Sequence, residues 1–176
     1  MKNAILIVLT SLVFSGCGGG SKPDVYVDPK TAIWINFYIP YKKDAKIDSE
    51  IKVKCELPDK LSYFVKRYSD KAGIGVLRAT NISKKQNRLE LTIDDAVSRG
   101  STYMGQQKYT KASGVLYLKG KQVAKFTAAR SSAGGIFSVF KSSCSILGRT
   151  VDAMGEDVAR WLRIPIDEGH LGDYIK

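Results

Sequence analysis

Residues 140–162 read FKSSCSILGRTVDAMGEDVARWL, and apolar side chains recur there in alternating steps of four and three residues. The stripe consists of Phe140, Cys144, Leu147, Val151, Met154, Val158 and Trp161. This spacing predicts a long amphipathic helix that ends before Pro165 and buries one face. A helix of this kind needs an apolar layer to pack against, and the rest of the chain supplies one.

Strand patterns occupy the middle of the chain. Residues 32–39 are apolar on both faces and predict an interior strand, whereas residues 88–94 alternate and predict a strand with one face in water. Residues 115–118 and 123–129 flank Lys-Gly-Lys-Gln and predict a hairpin. Shorter strands are predicted at 51–55 and 76–82.

A second helix is predicted from Leu57, with apolar positions at 57, 61, 64, 65 and 68, Pro58 in its first turn and Gly73 as its stop. The predicted fold class is α+β, a mostly antiparallel sheet with two helices packed on one face. One domain over residues 32–165 is expected, followed by a loose tail over 166–176.

The N-terminal segment has the composition of an export signal. Lys2 precedes an apolar run over residues 4–14, which is too short to cross a bilayer core of about 30 Å as a helix. Residues 1–16 are therefore predicted to be a signal peptide. Residues 17–31 are rich in Gly, Ser and Pro, and they are predicted to form a flexible tether.

The residues that end this segment, Leu12-Val-Phe-Ser-Gly-Cys17, resemble the lipobox of bacterial lipoprotein signal peptides. The resemblance implies that Cys17 becomes the first mature residue and carries two or three fatty acyl chains, palmitate among them, which anchor the protein in a membrane. Gly18 stands where an Asp retains enterobacterial lipoproteins at the inner membrane. The resemblance therefore implies the outer membrane, with the domain in the periplasm. The alternative is an ordinary secretory peptide cut nearby, with Cys17 as a plain thiol.

Two further cysteines remain once Cys17 is lipidated. Cys55 and Cys144 form an even pair, and in an oxidising compartment such a pair favours a disulfide. The alternative is two buried free thiols.

The charge balance is strongly basic. Beyond the leader the chain carries 27 Lys and Arg against 17 Asp and Glu, a formal +10, and the basic residues are scattered along the sequence. Export argues against nucleic acid as a partner, so the expected partner is another envelope protein or an anionic envelope component such as lipid headgroups. Ordinary solubility is the alternative explanation of the charge.

Catalytic and metal-binding patterns are sparse in the sequence. The chain has one histidine, His170, which falls in the predicted tail, and this argues against a His-based triad and against a histidine metal cluster. Asp94 and Asp95 are the one adjacent acidic pair; because neighbours on a strand point to opposite faces, we interpret the pair as a turn or strand end and not as a catalytic pair. Ser138 and Lys141 have the Ser-x-x-Lys spacing of penicillin-binding enzymes without the companion motifs, so we interpret the match as chance. Neither a metal nor a cofactor is predicted.

These features predict a non-enzymatic envelope lipoprotein that serves as a binding or assembly module. The body of the chain, about residues 33–163, is similar to small envelope lipoproteins of uncharacterised function at Cys55-Glu-Leu-Pro58 and over residues 134–162; this resemblance implies no activity. An alternative is an envelope hydrolase that uses Ser131, Ser132 or Ser138 beside Gly134-Gly135. A third hypothesis is an assembly subunit of a secretion or surface-fibre apparatus.

Overall fold

The computed structural model describes residues 27–99, 107–132 and 142–173. Within these ranges the elements are, in chain order, β1 (Ile33–Asn36), α1 (Ser49–Lys54), α2 (Leu57–Lys71), β2 (Val76–Ala79), β3 (Arg88–Arg99), β4 (Gln107–Leu118), β5 (Lys121–Ser132), α3 (Ser143–Arg163) and β6 (Gly169–Gly172).

The strands form one sheet in the order β2-β1-β3-β4-β5-β6. Strand β1 runs parallel to β2 and β3, and β5 runs parallel to β6, whereas the β3–β4 and β4–β5 pairs are antiparallel. The α+β class is confirmed, but the prediction of a mostly antiparallel sheet is wrong, because the sheet is mixed. Hairpin signals report antiparallel neighbours, whereas the parallel pairs are made by crossovers through α2 and α3 that leave no local signal.

The two long helices pack on one face of the sheet and enclose the core with it. The α3 stripe from Leu147 to Trp161 is buried, as its spacing predicts. Gly155 lets α3 lie close to α2, because a Cβ atom at this position would sit 2.6 Å from the Phe64 Cβ and 2.8 Å from its carbonyl carbon. Helix α3 begins at a capped end, since the Ser142 hydroxyl accepts a hydrogen bond of 3.2 Å from the Ser145 N–H.

Residues 51–55 form the end of a helix rather than the predicted strand. Ile51 and Cys55 are buried, whereas Val53, which a strand would place on the same face, is exposed, so the burial follows a helical spacing of four. An ion pair of 2.7 Å between Glu50 and Lys54, also four residues apart, favours the helix. The short helix α1 is therefore a third helix that the sequence did not predict.

Residues 169–172, expected in a loose tail, form the edge strand β6 beside β5. Leu171 packs against the core, and Asp173 fixes the end of the strand, because its backbone N–H donates to the Ala129 carbonyl at 2.7 Å. Beneath β5, Asp157 of α3 forms a bidentate ion pair with Arg130, at 2.6 Å to Nε and 2.7 Å to Nη2. Asp157 is 4% exposed, so this pair joins the sheet to α3 inside the protein.

Cys55, at the C-terminal end of α1, is bonded to Cys144 in the first turn of α3, and their Cα atoms are 4.7 Å apart. The bond fastens the start of the last helix to the connection between α1 and α2. Among the described residues, no helix combines the length and the apolar character needed to cross a membrane.

Candidate functional site

Several predicted site residues lie outside the described ranges. These are the lipidation site Cys17, the Gly134-Gly135 pair, and Ser138 with Lys141. The sites that can be located are Ser131, Ser132, His170 and the Asp94-Asp95 pair.

Ser131 and Ser132 end strand β5, where the Ser131 hydroxyl donates to Asp173 Oδ2 at 3.1 Å. The Ser131 backbone N–H donates to the same oxygen at 3.1 Å, and Arg130 Nη1 donates to Asp173 Oδ1 at 3.0 Å. These hydrogen bonds, the backbone one first, lower the pKa of Asp173, which makes it a weak proton acceptor. These contacts hold β6 against β5 and leave Asp173 as a weak base beside Ser131.

His170 lies in β6 opposite Thr127, with Nδ1 3.0 Å from the Thr127 hydroxyl. Thr127 and Ser131 are four residues apart on β5, a distance of about 13 Å at the rise of a strand. The structure therefore does not bring the single histidine of the chain to Ser131.

Asp94 and Asp95 lie within β3, so the prediction of a turn or strand end is wrong, and both bond to side chains of β4. Asp94 accepts from the Ser113 hydroxyl at 3.0 Å, and Asp95 accepts from the Tyr109 hydroxyl at 2.9 Å. Ser113 and Tyr109 are four residues apart and share one face of β4. A bulge between Ile93 and Asp95 breaks the alternation and turns both carboxylates to this face. Burial raises the pKa of Asp94. No group of three or more His, Cys, Asp or Glu side chains suited to a metal occurs in the described ranges.

A buried lysine that the sequence reasoning missed lies near the N-terminus of α3. Lys108 is 3% exposed, and its ammonium donates to the Ser143 hydroxyl at 3.1 Å; that hydroxyl also accepts from Ser98 at 2.9 Å. Burial lowers the pKa of Lys108. Lys108 precedes Thr110 by two residues, so the two share one face of the strand, and the burial of Thr110 identifies this face as the inner one.

The strand directions collect basic residues at one end of the domain. Because of the pairing, β1, β2, β3, β5 and β6 begin and β4 ends at the same end of the sheet. Helices α2 and α3 also finish there, since each leads within a few residues into the start of a strand. We call this the basic end, and it comprises residues 28–31, the last turns of α2 and α3, the turns 83–87 and 119–120, and residues 164–168.

Four exposed lysines lie in or beside two turns that touch each other at the basic end. These turn lysines are Lys84, Lys85, Lys119 and Lys121. The Lys119 N–H donates to Asn87 Oδ1 at 2.9 Å, and the Arg88 guanidinium donates to the Lys84 carbonyl at 2.7 Å. Gly120, with φ of +81°, allows the turn between β4 and β5 to pass close to the Lys84 carbonyl, which a Cβ atom would approach to 3.2 Å.

The described chain also begins at this end. The turn over residues 28–31 is held by Asn87, whose side-chain amide donates to the Thr31 carbonyl at 3.4 Å, and by Trp34, whose indole N–H donates to the Pro29 carbonyl at 3.2 Å. Asn87 closes the loop that carries Lys84 and Lys85. The described chain therefore begins at the basic end, where Val27 lies against Gly75 in the connection between α2 and β2.

Two isoleucines are exposed on the same end. Ile164 and Ile166 flank Pro165 directly after α3 and are 75% and 66% exposed. The Ile166 carbonyl accepts a hydrogen bond of 2.9 Å from the Trp161 indole N–H, which fixes the backbone of this segment against the core. The basic end thus combines lysines and apolar side chains on a rigid support.

No protein-family model matches the chain, and no curated protein matches it. Among solved structures, a minor lipoprotein from Acinetobacter baumannii is 12% identical with a TM-score of 0.39, over 71% of this chain and 92% of that one. An uncharacterised protein is 11% identical with a TM-score of 0.45, over 75% and 99% of the two chains. A PelC dodecamer from Paraburkholderia phytofirmans is 7% identical with a TM-score of 0.41, over 72% and 89%. At these identities and TM-scores, the function has to be inferred from the chain's own residues.

Proposed function

We propose that this protein is a lipid-anchored component of the bacterial cell envelope, held at the outer membrane through Cys17 with its domain in the periplasm. The observation that carries the proposal is the lipobox-type sequence that ends at Cys17 after an apolar run too short to span a bilayer. On this proposal the domain is a non-enzymatic binding or assembly module, and the acyl chains on Cys17 supply its location.

The bond between the other two cysteines supports an exported location. Cys55 and Cys144 come from α1 and α3, and Cys55 is buried. Disulfides persist in the periplasm and outside cells, whereas cytosolic thiols are kept reduced. A chain that pairs two of its cysteines and carries the third directly after its leader fits an exported lipoprotein.

The position of the described chain start supports a domain close to its membrane. Nine residues lie between Cys17 and Val27, and the tether proposed from their Gly-rich composition would have an r.m.s. reach of about 17 Å. The domain would therefore stay within about one domain radius of the headgroups, where it can meet lipids and other envelope proteins.

Membrane fractionation of cells that produce the wild type and Cys17→Ala tests the proposal. The wild type is expected to remain with outer-membrane vesicles through a high-salt wash and to leave them only in detergent, because acyl chains and not charges hold it. Cys17→Ala is expected to lose this detergent-dependent association. The double variant Cys55→Ala/Cys144→Ala is the matched control, since it removes cysteines without touching the anchor. Retention of Cys17→Ala equal to that of the wild type would overturn the proposal.

A further inference from the structure

We propose that the basic end docks on the anionic surface of a phospholipid bilayer, with the turn lysines at the headgroup phosphates and Ile164 and Ile166 in the interface. The inference rests on the proposed lipid anchor, because the chain reaches this end from Cys17. It gives the domain a second contact with the same membrane and a defined orientation on it.

The turn lysines carry charge that the protein itself leaves unneutralised. Among the described residues, none of the four has a carboxylate within 4.0 Å. The acidic side chains of the basic end have other partners: Asp70 pairs with Lys66 and Glu168 with Lys125, while Asp28 and Asp167 accept hydrogen bonds from the backbone N–H groups of Lys30 and Lys125. Four free ammonium groups on two touching turns form a local positive field that anionic phosphates can neutralise.

The exposed isoleucines favour a membrane over a purely polar anionic partner. Surfaces that combine lysines with exposed apolar side chains are typical of proteins that lie in the bilayer interface. There the lysines meet the headgroups and the apolar side chains reach the acyl boundary. The hydrogen bond from Trp161 fixes the backbone of this segment, and the side chains of Ile164 and Ile166 remain exposed to solvent. Neither side chain belongs to the buried core of the domain.

The geometry of the sheet allows all of these groups to meet one surface together. The tether enters beside β1, the turn lysines lie at β3, β4 and β5, and the isoleucines precede β6. From β1 to β6 these five neighbouring strands are separated by four spacings, a width of about 19 Å at roughly 4.8 Å per spacing. A bilayer is flat over this width, and the proposed tether would already hold the domain within reach of it.

Docking in this orientation points the opposite end of the domain away from the membrane. That end carries the N-terminus of α3 with Lys108 and Ser143, together with the disulfide. Any periplasmic partner of the anchored protein would then meet this opposite end or the sides of the domain.

Cosedimentation with vesicles tests the inference on the mature chain, residues 17–176, with Cys17→Ser so that no acyl chain contributes. Binding to vesicles of equal parts phosphatidylglycerol and phosphatidylcholine is compared with binding to phosphatidylcholine alone, at low and high salt. One lysine close to an anionic membrane changes the binding constant about fivefold. Replacing all four turn lysines by Gln should therefore weaken binding at low salt by roughly six-hundredfold, and salt should weaken the wild type in the same way.

The matched control replaces four exposed lysines near the opposite end, Lys42, Lys43, Lys46 and Lys52, by Gln. It removes the same charge, so an effect of net charge alone would weaken both variants equally. A difference of more than about tenfold between the two variants supports docking through the basic end. A smaller difference, or equal binding of the wild type to both kinds of vesicle, overturns it.

The apolar part of the contact has its own test. Ile164→Ser/Ile166→Ser should weaken the binding to anionic vesicles by at least about threefold at high salt, where apolar contact makes up most of the attraction. Unchanged binding would overturn insertion of this segment. Because every protein in these assays is unlipidated, vesicle binding can fail while Cys17 is acylated in cells, and the reverse, so the two proposals are separated.

Discussion

Removal of the bond between Cys55 and Cys144 is expected to destabilise the domain by several kcal/mol. The two residues are 89 positions apart, and the closed loop contains α2 and all of β2 to β5. In the chain-entropy treatment, a loop of about 90 residues restricts the unfolded chain by about 4.6 kcal/mol at 25 °C. A domain of this size has a typical free energy of unfolding of about 5–15 kcal/mol, so the bond supplies a large share of it.

Urea unfolding followed by circular dichroism measures the effect on the oxidised protein, the reduced protein and Cys55→Ala/Cys144→Ala. With a urea m value of about 2 kcal/mol/M, both perturbations should lower the unfolding midpoint by roughly 2 M. Reductant should leave the midpoint of the double variant unchanged, which separates loss of the bond from other effects of reduction. A loss below about 1 kcal/mol in both cases would refute the reasoning that the bond restricts the unfolded chain.

Other substitutions test the packing and the buried charges. Gly155→Ala should destabilise the domain by about 1–3 kcal/mol, because the added methyl group meets the α2 backbone. Gly148→Ala adds a methyl group with nothing within 4 Å and should stabilise the domain by up to about 1 kcal/mol. Equal urea midpoints of the two variants would contradict the close approach of α2 to Gly155. Asp157→Asn should cost about 3 kcal/mol in the same assay, since it leaves Arg130 without its buried partner, and a loss under about 1 kcal/mol would argue against that role. Burial lowers the pKa of Lys108 in the folded protein, so the free energy of unfolding of the wild type should rise as the pH increases from that folded pKa towards 10.5. Lys108→Met should raise the stability at pH 7 by about 1 kcal/mol and remove this pH dependence. A variant less stable than the wild type at pH 7 would contradict the cost assigned to burying this charge.

Local periodicity made part of the fold predictable. The α3 stripe depends on side chains a few residues apart, and the hairpin depends on a short turn between two alternating runs. The structure confirms both, with β4 and β5 paired through a turn at Lys119-Gly120. These features require no knowledge of distant residues.

The parallel pairings were not predictable because they join segments that are far apart in the chain. Strand β1 meets β2 across about forty residues, and the sequence of β6, Gly-His-Leu-Gly, contains a single large apolar residue. Strand β6 is fixed by tertiary contacts instead, through Asp173 with Arg130 and Ser131. The same holds for α1, where one buried pair four residues apart is compatible with either period.

The candidate site could also be predicted only in part. In the sequence the turn lysines form two separate pairs among many basic residues, and nothing local sets them apart. The register of β3, β4 and β5 brings the pairs together and places them beside the start of the described chain. The excess of basic residues in the chain was readable from composition, whereas the grouping of these four lysines at one end of the domain required the topology.

The most direct test of the lipid anchor is the mass of the N-terminal peptide of the protein purified from membranes of its own host. The account predicts a peptide that begins at Cys17 and carries the added mass of a diacylglyceryl group, with or without a further acyl chain. A mature N-terminus at another residue, or an unmodified Cys17, would contradict it.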